Sequence, residues 1–300
     1  MLKIAFAPLY AHPLPEGHRF PMAKYELLPR QLLYEGSIRE ENFFCPRTLP
    51  EAEILHTHQA EYWQKLKYLQ LSASEIRRTG FPLSAQLIER EITIAQGTID
   101  CAYFALQYGV AMNIAGGTHH AFTNRGEGFC LLNDVAIAAN HLLLQGLAKR
   151  ILVIDLDVHQ GNGTAEIFRH QEAVFTFSMH GAKNYPMHKE QSDLDIALED
   201  ETGDDAYLTL LEQTLPMLIE KHRPDFAFYI AGVDVLATDK LGRLALSLEA
   251  CRRRDEYVFR SCQAAQIPVV VSMGGGYSPR IYDIVEAHAN TFRMAQELYF

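Results

Sequence analysis

The chain has no apolar run approaching the roughly 18 residues that a membrane-crossing helix needs, no internal repeat, no low-complexity tract and no Gly/Ser/Pro-rich linker. The stretch from Ile4 to Tyr10 is short and broken by Pro8, so it reads as a first buried strand and not as a signal peptide, and no membrane association is expected. Without a linker or repeat, residues 1–300 are expected to form one domain, and 48% hydrophobic content suffices for one large core. Cysteines are few: Cys45, Cys101, Cys130, Cys251 and Cys262 lie far apart and make no CxxC pair. That spacing argues against a disulfide framework and a cysteine zinc site, and fits a reducing cytoplasm. Positive charge is also in deficit. A net charge of −10 repels a phosphate backbone, so nucleic acid is not expected as a ligand, and cationic partners such as lysine-bearing peptides or polyamines are favoured. The main basic cluster, Arg252-Arg253-Arg254, lies among helix formers and reads as a solvated helix face.

What is present is alternation. Short apolar or β-branched runs at 3–7, 110–115, 151–155, 174–178, 226–231 and 268–273 are mostly separated by stretches with helical periodicity. This predicts an α/β fold with a mostly parallel central sheet and helices on both faces. Thr48 with Glu51 has capping-box spacing, Ser84 precedes a long amphipathic run to about Tyr108, and Asp204 or Asp205 is placed to cap a segment ending near His222. In open α/β sheets ligands bind beyond the carboxyl ends of the strands, so the residues just after each run carry most weight.

Four of those ends are rich in chemistry: Gly116-Gly117-Thr118-His119-His120, Asp155-Leu156-Asp157-Val158-His159, Gly232-Val233-Asp234 and Gly274-Gly275-Gly276-Tyr277. Asp157, His159 and Asp234 make an O, N, O donor set suited to a divalent cation that keeps one position open for water. An isolated DxH more often caps the next helix, with Asn162 and Thr164 as rival caps; three further polar strand ends favour the metal. Of His119 and His120, one imidazole is suited to take a proton from water and return it to a leaving amine, with Asp155 and Asn162 available to orient one ring each. Tyr277, on a glycine hinge, either stabilises an oxyanion from a mobile loop or is exposed on a tight turn. Gly128 and Phe129, after a flexible loop at 123–127, supply either the wall of an apolar tunnel or plain core.

The blocks GGTHHA, EGFCLLND, DLDVHQGNGTAEIF, GVDVL and SMGGGYS resemble, in order, the signature blocks of the histone deacetylase family, over nearly the whole chain. The stretch SMHGAKNYPMHKEQSDLDIAL looks closest to its class IV branch and bacterial relatives. The resemblance implies an arginase/deacetylase-like fold, with one catalytic zinc on Asp157, His159 and Asp234 and His120 as general base and then acid. It implies a second histidine, His119, paired with Asp155, and Tyr277 polarising the scissile carbonyl. It also implies an acyl-lysine tunnel at Gly128 and Phe129, and a structural potassium ion held by Asp155, Asp157, His159, Ser178 and Met179, partly through backbone carbonyls. Two positions depart from the pattern: Asn162 stands where some branches have aspartate, and Gln160 replaces the second histidine of DxDxHH.

The expected activity is hydrolysis of an N-acyl-lysine amide. Alternatives are hydrolysis of an acetylpolyamine or other cationic acylated amine, and a non-catalytic acyl-lysine-binding module. A binuclear manganese hydrolase of arginase type would need further carboxylates two residues after these ligands, where Gly161 and Leu236 stand. Loops at 13–20, 80–84 and 183–191 are expected to set the tunnel length.

Overall fold

Consecutive residues of a strand face opposite sides of a sheet, so an uninterrupted run of buried residues requires cover on both sides. The computed structural model describes residues 1–300 and shows such runs at the centre of one eight-stranded sheet. The strands are β1 Lys3–Ala5, β2 Phe43–Phe44, β3 Val110–Asn113, β4 Ile151–Asp155, β5 Val174–Gly181, β6 Leu194–Leu198, β7 Phe226–Ile230 and β8 Val269–Ser272. Every residue of β3, β4, β7 and β8 is buried. The order is β2-β1-β3-β8-β7-β4-β5-β6, and every pairing is parallel. The expectation of a mostly parallel sheet is met by one that is wholly parallel.

Ten α-helices accompany the strands, nine between them in sequence and the tenth after β8. They are α1 Lys24–Tyr34, α2 Glu51–Leu55, α3 Ala60–Lys67, α4 Ala73–Thr79 and α5 Ala85–Tyr108, followed by α6 Asp134–Leu144, α7 Asn162–Phe168, α8 Asp204–His222, α9 Leu248–Ala264 and α10 Ile281–Tyr299. No helix is long and apolar enough to cross a membrane. Buried apolar side chains form one cluster of 85 residues, so the architecture is a single-domain α/β fold.

Three local expectations are corrected. Thr48 does not cap α2, because Pro50 occupies the cap position and no side chain bonds there. Asp204 and Asp205 lie inside the first turn of α8, whose cap is Gly203; the Asp204 carboxylate accepts instead from the Ser247 amide and hydroxyl at 2.8 and 2.6 Å. Arg254 is fully buried while Arg253 is exposed, so the arginine run spans both faces of α9. By contrast Ser84 accepts from Leu87 N at 3.1 Å and starts α5 as expected.

Candidate metal centre

The strands whose ends carry the candidate residues are neighbours in space, although the chain visits them out of order. β3, β8, β7 and β4 lie side by side, because β7 and β8 fill the gap left between β3 and β4. Their carboxyl ends therefore deliver the histidine pair, the tyrosine loop, Asp234 and the Asp157–His159 pair to one place.

The ligand atoms of Asp157, His159 and Asp234 all lie within 4.8 Å of one another, and all three residues are buried. His159 Nδ1 is 3.0 Å from Asp157 Oδ1 and 3.2 Å from Asp234 Oδ2. Backbone amides orient the acids: His159 N donates to Asp157 Oδ1, Gly275 N to Asp157 Oδ2 and Val158 N to Asp234 Oδ1. These bonds hold Asp157 and Asp234 at the site, and the cap position of α7 is taken by Gly161 with no side-chain bond, so neither Asp157 nor His159 caps that helix. Burial, then the neighbouring Asp157, pushes the Asp234 carboxyl up to about 7. Burial works against charge on His159, but Asp157 and Asp234 prevail and hold its pKa at about 10. Two acids and an imidazole crowded this closely out of water call for a cation, so the donor set fits the divalent ion the sequence implies.

Next to them His119 and His120 pack with ring centroids 4.2 Å apart and planes tilted by 48°. His119 Nδ1 lies 2.7 Å from Asp155 Oδ2. Burial opposes its charge, yet Asp155 and Asp157 raise its pKa to about 9. His120 Nδ1 lies 2.6 Å from Asn162 Oδ1. Asn162 Nδ2 donates to Glu127 Oε1 at 2.6 Å, which fixes the amide so that Oδ1 accepts and Nδ1 of His120 carries the proton. Nε2 is left with a free lone pair. Burial, then the neighbouring His119 and His159, lowers the His120 pKa well below the usual value.

Tyr277 is buried rather than exposed on a turn, and its ring centroid is 6.3 Å from that of His159. The glycines before it serve close approach: a Cβ on Gly275 would stand 2.0 Å from Asp234 Oδ2. Gly128 is similarly constrained, with φ +57° and space for a Cβ blocked by the His120 ring at 2.6 Å. The Phe129 ring packs among Phe20, Phe81 and Tyr277 at centroid distances of 5.1, 5.2 and 6.0 Å. The loop before it is tied down, since Thr123 N donates to Glu166 Oε2 at 3.2 Å and Gln59 N donates to Thr123 O at 2.8 Å. His120, His159, Gly128, Phe129 and Tyr277 line one open cavity of about 310 Å³. Arg19 comes to it from the 13–20 loop and Lys183, Asn184 and Tyr185 from the 183–191 loop; from the 80–84 loop Phe81 only backs Phe129, and Arg78 takes its place in the wall.

Other contributors were not legible. Lys24 Nζ donates to Gly274 O at 3.0 Å and holds the tyrosine loop; burial lowers its pKa to about 8. Arg254 Nη1 donates to Leu156 O and Gly232 O at 3.2 and 2.6 Å, just behind the ligand loops. Gln160 bonds Glu190 O at 2.6 Å and Asp195 Oδ1 at 2.9 Å, anchoring the 183–191 loop instead of contributing an imidazole. Ser178 is the cross-strand partner of Asp155, and both it and Met179 are buried.

Residues 18–292 match the family model described as the histone deacetylase domain. The chain is 44% identical to an uncharacterized protein of Picosynechococcus over 99% of both chains. It is 30% identical to histone deacetylase 2 of Arabidopsis thaliana, covering 87% of this chain and 70% of that one. Among solved structures, a homologue of histone deacetylases complexed with SAHA superimposes with a TM-score of 0.85 at 25% identity, over 99% of this chain and 84% of that one.

Proposed function

Because the chain belongs to the histone deacetylase family, we propose that it hydrolyses the amide bond of an N-acyl-lysine with the help of one zinc ion. The observation that carries this reading is the convergence of Asp157, His159 and Asp234 within 4.8 Å, with His159 on the wall of a cavity that His120 and Tyr277 also line. A zinc ion held by those three residues supplies Lewis-acid polarisation of a carbonyl and lowers the pKa of water. His120 Nε2, with its lone pair free because Nδ1 bonds Asn162, accepts the proton of the attacking water and returns it to the lysine amine. His119, kept cationic by Asp155 and Asp157, stabilises the negative charge that develops nearby. The Tyr277 hydroxyl donates to the acyl oxygen as that charge forms. Gly128 and Phe129, both on the cavity wall, would line the path of the methylene chain. Asp155, Asp157, His159, Ser178 and Met179 would hold a structural potassium ion, a reading supported by the pairing of Asp155 with Ser178. The unpaired state of all five cysteines supports a reducing, cytoplasmic setting.

Tyr277→Phe is expected to lose turnover by about 10²-fold or more while keeping its zinc. Asp234→Ala is expected to lose both. Zinc content by mass spectrometry of native protein, beside hydrolysis of fluorogenic acyl-lysine amides from acetyl to myristoyl, checks the pair. Full activity of Tyr277→Phe, or full zinc in Asp234→Ala, would remove the assignment.

A further inference from the structure

The cavity over His120, His159 and Tyr277 is lined by twelve residues, four of them arginine or lysine and none acidic. Arg19 comes from the segment before α1, Arg78 from the end of α4, Lys183 from the loop after β5 and Arg243 from the segment before α9. All four are exposed, and they surround the opening while the catalytic groups are buried beneath. Lys183 and Arg243 share Asp200 at 3.6 and 3.1 Å, and Lys183 also faces Glu199 at 3.9 Å. These two acids offset that half of the rim. Arg19 and Arg78 have no carboxylate within ion-pair distance; the Arg19 guanidinium instead lies 4.9 Å from the centroid of Phe129. A chain with net charge −10 thus presents a positive entrance to the cavity over His120, His159 and Tyr277.

A lysine whose amide reaches Tyr277 and His120 leaves its own backbone and neighbours at that rim. We infer that the mouth selects acyl-lysines with an anionic neighbour, a carboxylate received by Arg19 and Arg78. This deepens the deacylase reading and rests on it. A planar guanidinium lying over an aromatic face still presents donors at its edge, suited to a carboxylate fork. Polyamines, cationic along their length, meet like charge at the same place and are poor substrates. The carboxylate has two chemical sources: Asp or Glu beside the acyl-lysine in a peptide, or the α-carboxylate of free N-acyl-lysine.

The test uses the zinc-loaded full chain and one acyl group. Hydrolysis and binding are measured on peptides with the acyl-lysine flanked by Asp/Glu, by Gly/Ala or by Lys/Arg, on free N-acyl-lysine and its carboxamide, and on acetylspermidine. Binding is read by fluorescence anisotropy. The acidic peptide is expected to exceed the neutral one by about three- to tenfold in kcat/KM and in affinity at low salt, and the gap closes toward one at molar salt. Arg19→Gln with Arg78→Gln is expected to bring the acidic-to-neutral ratio toward one, and Arg19→Lys with Arg78→Lys to keep most of it. Preference for free N-acyl-lysine over its carboxamide, without a peptide preference, identifies the α-carboxylate as the source. Equal binding of acidic, neutral and basic peptides together with equal binding of free N-acyl-lysine and its carboxamide, or preference for the basic peptide, overturns the inference and leaves the deacylase reading intact. Tighter binding of acidic peptides with no hydrolysis of any substrate overturns the deacylase reading and leaves the charge preference standing.

Discussion

Asn162 bonds the His120 imidazole with its oxygen and Glu127 with its nitrogen, each at 2.6 Å. Aspartate, found here in some relatives by the sequence resemblance, would set its second oxygen against the Glu127 carboxylate. Asn162→Asp is therefore expected to destabilise the fold by about 1–3 kcal/mol, the cost of a buried hydrogen bond turned into a mismatch. Glu127→Gln in the same chain restores a donor and recovers most of that loss, with a coupling of about 0.5–3 kcal/mol in a double-mutant cycle read by denaturant unfolding. Additive effects would show that the two side chains act independently. Residues of this kind were half legible. Asn162 stood out because it follows the DxH motif, whereas Glu127, although it opens the EGFCLLND block, comes from a distant loop and nothing in the sequence pairs it with Asn162. Arg254 was misread for a related reason: three arginines in a row on a helix point in three directions, and only packing decides that the third turns inward to hold Leu156 O and Gly232 O.

At the scale of elements, α5 shows how tertiary packing overrides propensity. It runs 24 residues from its Ser84 cap and carries Gly97 in mid-helix, where alanine would normally be favoured by about 1 kcal/mol. A Cβ at Gly97 would stand 2.6 Å from the Tyr10 hydroxyl, 3.0 Å from Asn113 Nδ2 and 3.0 Å from Pro46 Cγ. Gly97→Ala is accordingly expected to destabilise by about 1–3 kcal/mol, the reverse of the propensity scale, and a raised melting temperature would refute this. The central strands were readable from sequence because burial on both faces demands unbroken apolar runs. The two edge strands were not: β2 has two residues, and in β6, LDIAL, only the last residue is buried. Helix starts were readable where a side chain caps the first turn, as at Ser84. They failed at α2 and α8, where Pro50 and Gly203 hold the cap position through backbone shape alone.

For the molecule as a whole, buried neutral histidines set the acid limit of stability. His58 is buried, its Nε2 accepts from Asn133 N at 3.0 Å, and its Nδ1–H donates to Phe122 O at 2.9 Å. Protonation would aim a second N–H at the Asn133 amide. Burial lowers the pKa of His58 from 6.5 to about 4, and burial with the charges of Arg90 and His18 does the same for His12. A depressed pKa means that the unfolded chain binds more protons than the folded one between these values. The stability contributed by neutral imidazole is therefore complete above about pH 6.5 and drains away as pH falls toward 4. Each such histidine adds a slope of up to about 1.4 kcal/mol per pH unit inside that window. Urea unfolding at pH 7, 6 and 5 should show stability falling with pH. His58→Gln should start less stable at pH 7 but lose stability more slowly, with proton uptake on unfolding smaller by about one. An unchanged slope in His58→Gln would mean that this imidazole is already protonated in the folded chain, and that the two backbone bonds do not hold it neutral.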